Sequence, residues 1–223
     1  MKFRHEYKHE ISFSDRLMLS SRLSAVAKID EHSLGKSYEI RSLYFDNIKD
    51  KALLEKINGV NLREKFRLRY YNGDTSFIVL EKKSKINGLC AKNSVRVSEQ
   101  EVKKILDGDM DWLANSNREL LREFYSKSKS QGLKPKTIVD YTREAFTYPA
   151  GNVRVTLDYN IRSAMTSVDF LNAQCVTVPV CGDTTVLEVK WDEFLPDIIR
   201  DAVQLKDAHS GAFSKYAACR IYG

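Results

Sequence analysis

Alternating hydrophobic and polar residues predict at least six β-strands in this chain of 223 residues. A period of two is the pattern of a strand that has one apolar face and one polar face. A seventh candidate, Tyr38–Asp46, has a mixed pattern, and an eighth, Ala91–Val97, has a weaker one. The six clear strands are Phe3–Ile11, Arg63–Tyr71, Phe77–Lys83, Val139–Phe146, Val153–Arg162 and Thr185–Trp191.

Helical patterns occupy much of the sequence between these strands. Ser14 precedes a helical run that ends near Lys28. Ser98 and Glu101 fit a capping box, in which each residue satisfies a backbone N–H of the other, and they predict a helix to Leu106. Three further helices are predicted at Ile48–Ile57 with Asp46 as its cap, at Asp111–Lys129 and at Asp192–Leu205.

Two short turns indicate how the strands pair. Asn72–Asp74 separates two strands, and the segment Tyr148–Asn152 separates another two. Connections this short join antiparallel neighbours. The chain contains no Gly/Ser linker and no internal repeat, so residues 1–223 are predicted to form a single domain. The prediction is an α+β fold with a mostly antiparallel sheet.

Net charge, apolar runs and cysteine spacing limit the classes of function that fit this sequence. The formal net charge is +6, from 36 Lys and Arg against 30 Asp and Glu, which suits an anionic partner. The chain has no apolar run of about 18 residues and no apolar segment near its start, so neither membrane insertion nor a secretory signal is expected. Its scattered cysteines show no C-x-x-C spacing and are interpreted as reduced thiols in a cytoplasmic protein. They are Cys90, Cys175, Cys181 and Cys219.

The strand faces carry the main chemical signal. Side chains two residues apart point to the same side of a strand, so Arg63, Lys65, Arg67 and Arg69 share one face. Four neighbouring cations repel one another unless an anion binds between them. Similar polar faces on the other strands carry Arg4, Glu6, Lys8, Glu81, Lys83, Tyr141, Arg143, Arg154, Glu188 and Lys190.

These faces predict a charged interior. If the helices cover the apolar strand faces from outside, the charged faces must point inward, which gives a closed or nearly closed antiparallel barrel. About eight strands leave room for one elongated ligand. Many cations and few carboxylates predict a long polyanion with a divalent metal. The alternative is that each charged face meets solvent, as one side of many antiparallel sheets does.

Eight short segments are informative because of the order in which they occur along the chain. They are Phe3–Lys8, Arg41–Asp46, Arg63–Tyr70, Leu80–Lys85, Asp140–Phe146, Val153–Asp158, Leu187–Lys190 and Phe213–Tyr216. Together they resemble the VTC-type polyphosphate polymerase domain, a branch of the CYTH-like triphosphate tunnel metalloenzymes. The resemblance covers nearly the whole chain and implies an antiparallel β-tunnel flanked by helices.

The resemblance, together with the strand faces, implies a set of site residues. Glu188 is implied as a ligand of Mn²⁺ or Mg²⁺, with Glu6 as the candidate second ligand. The expected catalytic cations are Arg67, Arg69, Lys83, Arg143 and Arg154. The expected substrate-binding residues are Lys8, Lys65, Lys92, Tyr141, Lys190, Ser214 and Lys215.

Two positions depart from the family pattern. Arg4 occupies the earlier acidic position of the Glu-x-Glu-x-Lys pattern that many tunnel enzymes have, and this departure points to the VTC branch. Ala212 stands where some members have another Lys, which puts chain-length handling or affinity in doubt.

The reaction that the resemblance implies is transfer of the γ-phosphate of ATP to a growing inorganic polyphosphate chain. One alternative is a tunnel triphosphatase, which would need Glu81 or Glu6 as a base to activate water. Another is a non-catalytic module that binds polyphosphate or nucleotide. Nucleic acid is not expected, because cations inside a tunnel cannot follow a duplex. Family relatives are often coupled to membranes, so coupling to a separate membrane protein stays open.

Overall fold

The structure is a computed structural model that describes residues 3–31, 33, 35–180, 182–205 and 213–221. The predictions for Cys181 and Ala212 therefore lie outside the described residues. The eight predicted strands are confirmed, several of them with longer bounds, and two strands of two residues are added. The strands are β1 His5–Ile11, β2 Lys28–Ile29, β3 Ser37–Asp46, β4 Arg63–Tyr71, β5 Asp74–Ile86, β6 Leu89–Val97, β7 Lys134–Tyr148, β8 Val153–Ser163, β9 Val178–Pro179 and β10 Thr185–Trp191.

Six α-helices accompany the strands in the described part of the chain. They are α1 Phe13–Val26, α2 Lys51–Ile57, α3 Glu99–Asp107, α4 Glu119–Gln131, α5 Asp197–Ala202 and α6 Lys215–Ile221. None of them is long and apolar enough to cross a membrane. The capping box of Ser98 and Glu101 at the start of α3 is confirmed.

Several predicted helix bounds are wrong. α1 is capped by Ser12 instead of Ser14, because the Ser12 hydroxyl accepts the backbone N–H of Asp15. The predicted helix from Asp111 is divided into a 3₁₀ turn at Asp111–Asn115 and α4. The last predicted helix starts only after Pro196, since proline fits the start of a helix and not its interior.

The strands form one antiparallel sheet in the order β1-β10-β8-β7-β3-β4-β5-β6, with β2 added beside β7 and β9 beside β8. Both predicted hairpins are present. Asn72 and Gly73 have positive φ angles in the first, as a tight hairpin turn requires. The sheet curls until its two edges meet at one bridge, where Arg4 and Cys90 exchange backbone hydrogen bonds of 3.1 and 3.2 Å.

Four helices cover the convex side of the sheet, as predicted. Phe124 of α4 packs 5.2 Å from Phe66 of β4 between ring centroids, within an apolar cluster that also includes residues of α3. Leu19 and Leu23 of α1 belong to a second apolar cluster, together with Ile199 of α5 and residues of β8 and β10. These contacts turn the apolar strand faces outward toward the helices and leave the charged faces on the concave side.

Two helices instead pack on the concave side. The expectation that every predicted helix covers the sheet from outside is wrong for α2, and α6 was not predicted. Tyr216 of α6 and Leu53 of α2 join an apolar cluster with Ile40 of β3 and Val139 of β7. The inward rows are therefore partly apolar, and α6 covers that part. The charged inward-facing residues occupy the rest of the concave face.

Candidate phosphate-binding cavity

Strand pairing joins the charged rows of neighbouring strands on the concave face. Arg67 of β4 lies opposite Tyr44 of β3 on one side and opposite Glu81 of β5 on the other. Arg154 of β8 lies opposite Lys190 of β10. Because directly opposed residues point to the same face, these rows form one continuous charged surface.

This surface encloses a cavity of about 1370 Å³. Lysines and arginines outnumber carboxylates in its lining by fourteen to four. Every residue that the sequence analysis assigns to the site lies in this lining; their individual roles stay predictions. They are Glu6, Lys8, Lys65, Arg67, Arg69, Lys83, Lys92, Tyr141, Arg143, Arg154, Glu188, Lys190, Ser214 and Lys215.

Glu6 and Glu188 share three lysines. Lys8 Nζ lies 2.9 Å from an oxygen of each carboxylate. Lys190 Nζ lies 2.9 Å from Glu188 Oε2 and 3.3 Å from Glu6 Oε2. Lys83 Nζ, from β5, lies 3.1 Å from Glu6 Oε2. Because the two edges of the sheet meet at the Arg4–Cys90 bridge, only β6 separates β5 from β1, and this cluster lies across the junction of the two edges.

Both carboxylates in this cluster are ionised at neutral pH. Burial raises the pKa of Glu6, but Lys83, Lys8 and Lys190 outweigh it and bring that pKa to about 2. Burial also raises the pKa of Glu188, and the same lysines hold it well below its ordinary value. Burial lowers the pKa of Lys190 to about 8, against the attraction of Glu188.

Glu81 is a buried counter-ion for a second group of cations. It is 1% exposed. Arg67 Nε donates to its Oε2 at 2.7 Å, and Lys92 Nζ lies 3.0 Å from its Oε1. Arg69 Nη1 is 3.8 Å from Oε2. Burial raises the pKa of Glu81, but Arg67, Arg69 and Lys92 together hold it far below the ordinary range. Arg67 Nη1 also donates to the Tyr44 hydroxyl at 2.9 Å.

Asp158 is the buried counter-ion of a third group of cations. Arg143 grips it with two hydrogen bonds of 2.6 and 2.7 Å, and Lys215 Nζ lies 2.6 Å from Oδ2. Asp158 is fully buried; burial raises its pKa, and Arg143 and Lys215 outweigh this and bring it to about 2. The Tyr141 hydroxyl accepts from Arg69 Nη2 at 2.8 Å and from Arg143 Nη2 at 3.5 Å. Its own proton stays available for an anion in the cavity.

Four lining cations form no ion pair with any described residue. Burial lowers the pKa of Lys65 to about 7, and Tyr44 opposes this shift. Lys65 Nζ lies 5.2 Å from the centroid of the Tyr44 ring. Burial also lowers the pKa of Lys56 to about 8, with nearby cations adding to the shift. The four are Lys56, Arg63, Lys65 and Lys85. An anion in the cavity would restore the charge that burial disfavours.

Comparison with known proteins identifies the family. The sequence matches the profile of the VTC domain over residues 3–221. The chain belongs to the VTC domain family. Curated proteins give no match to it.

Comparison of this VTC domain with solved structures gives one match that shares its fold and weaker matches beside it. An adenylate cyclase candidate from Bacillus halodurans has a TM-score of 0.52 at 17% identity, over 85% of this chain and 80% of the other. A Pyrococcus horikoshii protein has a TM-score of 0.42 at 13% identity, over 89% and 84% of the two chains. A Pyrococcus furiosus protein has a TM-score of 0.46 at 10% identity, over 90% and 85%. At these identities the first match shows a shared fold and not a shared activity.

The Glu6 and Glu188 pair fits a divalent metal that also binds phosphate. The described part of the VTC domain contains no cluster of three His, Cys, Asp or Glu side chains able to hold a metal. Mg²⁺ commonly uses one or two protein carboxylates and takes its other ligands from phosphate and water. Two adjacent ionised carboxylates meet that requirement.

Sequence reasoning missed several lining residues of the VTC domain. Tyr44 and Lys56 come from β3 and α2, whose patterns were mixed or amphipathic. Glu81 was recognised as inward-facing, but its role as a counter-ion depends on how β5 pairs with β4 and β6, which carry Arg67 and Lys92. Asp158 is held by Arg143 of the neighbouring strand β7 and by Lys215 of α6. Tyr44 and Ser42 are two residues apart along β3 and therefore lie on the same face of the sheet. This spacing was the signal in the sequence that could have placed Tyr44 in the lining.

Proposed function

We propose that this VTC domain is a metal-dependent polyphosphate polymerase, which transfers the γ-phosphate of ATP to the end of a growing inorganic polyphosphate chain. One observation carries the proposal. The cavity is lined by many more cations than carboxylates, and two of the buried carboxylates, Glu81 and Asp158, hold arginines in place. Such a cavity suits an extended chain of phosphates.

The reaction needs positioning and charge neutralisation more than it needs a base. A terminal phosphate is already ionised near neutral pH, so it can attack without losing a proton. In the proposal, cations spread over the cavity stabilise the negative charge on the transferred phosphoryl group. They are Arg67, Arg69, Lys83, Arg143 and Arg154. Arginine is suited to this task because its planar fork matches two phosphate oxygens.

Other lining residues would hold the donor and the chain. These are Lys8, Lys65, Lys92, Tyr141, Lys190, Ser214 and Lys215. Glu188 and Glu6 would hold Mn²⁺ or Mg²⁺, which neutralises charge on phosphate oxygens when bound. Lys8 and Lys190, which contact these carboxylates directly, would keep the phosphates beside them.

The acidity of the carboxylates favours this reaction over hydrolysis. A hydrolase must activate water, and an efficient general base has a pKa near the working pH. Neighbouring lysines bring the pKa of Glu6 to about 2, and cations hold the pKa of Glu81 far below its ordinary range. Neither carboxylate suits the role of base that the triphosphatase alternative requires.

The proposal includes the cytoplasm as the site of the reaction, where ATP is available. Reduced thiols at Cys90 and Cys175 are consistent with a reducing compartment.

One assay tests the proposed activity. Purified protein is incubated with ATP and Mn²⁺, with and without a short polyphosphate primer, while ADP, free phosphate and chain length are followed. ADP release with lengthening chains is the expected result. Stoichiometric free phosphate would instead identify a hydrolase. Tight polyphosphate binding without turnover would identify a binding module.

A further inference from the structure

The cavity changes in chemistry along the hairpin of β4 and β5. The inward row of β4 runs Arg63, Lys65, Arg67, Arg69, Tyr71. The inward row of β5, taken from the same end, runs Lys85, Lys83, Glu81, Val79, Phe77. Arg63 is paired with Lys85 at one end, and Tyr71 with Asp74 at the other. At a rise of about 3.4 Å per residue, the two ends of β4 are roughly 27 Å apart.

One end of this hairpin carries unpaired cations. Arg63 and Lys85 lie there, and Lys56 of α2 is close enough to Arg63 and Lys85 for their charges to lower its pKa. None of the three forms an ion pair with a described residue, whereas cations further along the rows, such as Arg67 and Lys83, are paired. Unpaired cations at the rim of a cavity attract an extended polyanion, which supplies the missing countercharge.

The other end is aromatic. Phe77 lines the cavity there although its side chain is 45% exposed, and the Arg96 guanidinium lies 5.2 Å from its ring centroid. The rings of Tyr38 and Tyr71 meet edge to face, with centroids 6.0 Å apart. The residues that line this end are Tyr38, Tyr71, Asn72, Asp74 and Phe77. Two lining cations border it: Arg154 donates to the Tyr38 hydroxyl at 3.0 Å, and the Arg69 guanidinium lies 5.9 Å from the centroid of the Tyr71 ring.

The polar groups of this aromatic end can both donate and accept hydrogen bonds. Asn72 Oδ1 accepts the backbone N–H of Glu39 at 2.9 Å, and its Nδ2 has no partner among the described residues. Asp74 Oδ1 accepts the N–H of Ser76 at 2.8 Å, and the carboxylate is otherwise open to solvent. A flat heterocycle with edge donors and acceptors matches this combination, whereas a phosphate chain does not.

We infer that the aromatic end binds the base of a nucleoside triphosphate, while the polyphosphate chain occupies the cationic end. The inference rests on the proposed function and adds a direction to it. Tyr71 is two residues from Arg69 on β4, about 7 Å along the strand. A base beside Tyr71 or Phe77 therefore directs its phosphates toward Arg69 and Arg67, in the middle of the row. The donor and the acceptor chain then meet from opposite ends.

Titration calorimetry with three ligands tests this arrangement: ATP, inorganic tripolyphosphate and long-chain polyphosphate. Stacking is worth about 1–3 kcal/mol per base. Phe77→Ala should therefore weaken ATP binding by roughly 5- to 150-fold and leave tripolyphosphate binding unchanged. Phe77→Tyr, which keeps an aromatic ring, should restore ATP binding. Arg63→Met and Lys85→Met should weaken long-chain polyphosphate and spare ATP. Phe13→Ala is the matched control, because Phe13 is similarly exposed but lies on α1 outside the cavity.

The outcomes separate this inference from the proposed function. If the wild-type protein turns ATP over but Phe77→Ala binds ATP as tightly as before, the inference is wrong and the polymerase proposal stands. Equal loss of ATP and tripolyphosphate binding in Phe77→Ala also overturns the inference, since it would indicate a phosphate contact. Failure of the wild-type protein to bind ATP overturns both.

Discussion

The buried Glu81 carboxylate offers the sharpest test of how this cavity works. Glu81 is 1% exposed and neutralises parts of Arg67, Arg69 and Lys92. Glu81→Gln removes its charge and keeps its shape. Removing one partner of a buried ion pair costs about 3–5 kcal/mol. We take ~3 kcal/mol because Gln still accepts a hydrogen bond, and in a domain of this size that lowers Tm by roughly 6–12 °C.

The same change should strengthen anion binding. A phosphate held on the far side of the Arg67 guanidinium lies roughly 8 Å from the Glu81 carboxylate, where repulsion at an effective dielectric constant of about 20 is ~2 kcal/mol. Loss of that repulsion raises the affinity for tripolyphosphate about 30-fold. At a fixed, saturating ligand concentration, the thermal shift should then be about 4–8 °C larger in Glu81→Gln than in the wild type.

Differential scanning fluorimetry with and without tripolyphosphate measures both effects. Glu144→Gln is the matched control. Glu144 is a buried carboxylate that pairs with Arg16 at 3.4 Å and accepts from Ser20 at 2.6 Å, outside the cavity lining. It should lose stability without gaining a larger ligand shift. A tripolyphosphate shift in Glu81→Gln that does not exceed that of the wild type would refute the assignment of Glu81 as a fixed counter-ion of the phosphate-binding arginines.

Three further predictions follow from the same geometry. Glu188→Gln should abolish turnover of ATP while largely retaining tripolyphosphate binding. If the variant turns ATP over as fast as the wild type, the assignment of Glu188 as a metal ligand is wrong. EDTA should likewise stop turnover and leave tripolyphosphate binding measurable by calorimetry; turnover that persists in EDTA would contradict the metal dependence. Because the pKa of Lys65 is about 7 in the free cavity and a bound anion raises it, binding takes up a proton above pH 7, so tripolyphosphate affinity should fall between about pH 7 and 9. Lys65→Met should flatten that dependence, and an unchanged slope in the variant would contradict it.

The sequence predicted the charged rows well because strand parity is a local property. Four cations spaced two apart in Arg63–Tyr71 must share a face whatever the rest of the fold does. Pairing then extends the row to neighbouring strands in register. Antiparallel hairpins such as the one at Asn72 and Gly73 were equally visible, because their turn chemistry lies in the turn itself.

Features that depend on long-range contacts were not visible. α6 packs on the concave face because the Tyr216 hydroxyl donates to Asp46 at 2.8 Å and its ring stacks 4.9 Å from that of Tyr44. Both partners lie about 170 residues away along the chain. Helix bounds failed for a related reason. Ser12 and Ser14 are both plausible caps by residue type, and only the backbone geometry selects Ser12.

The distribution of charge explains how a moderately basic chain can hold a strongly basic cavity. The whole chain has an excess of six cations, whereas the cavity lining alone has fourteen lysines and arginines against four carboxylates. The remaining surface and core must therefore carry more carboxylates than cations. An anion approaching this protein is attracted most strongly at the mouths of one cavity, where the concentrated positive charge focuses the electric field. The net charge alone therefore does not predict the basic cavity, whereas the distribution of charged residues over the strand faces does.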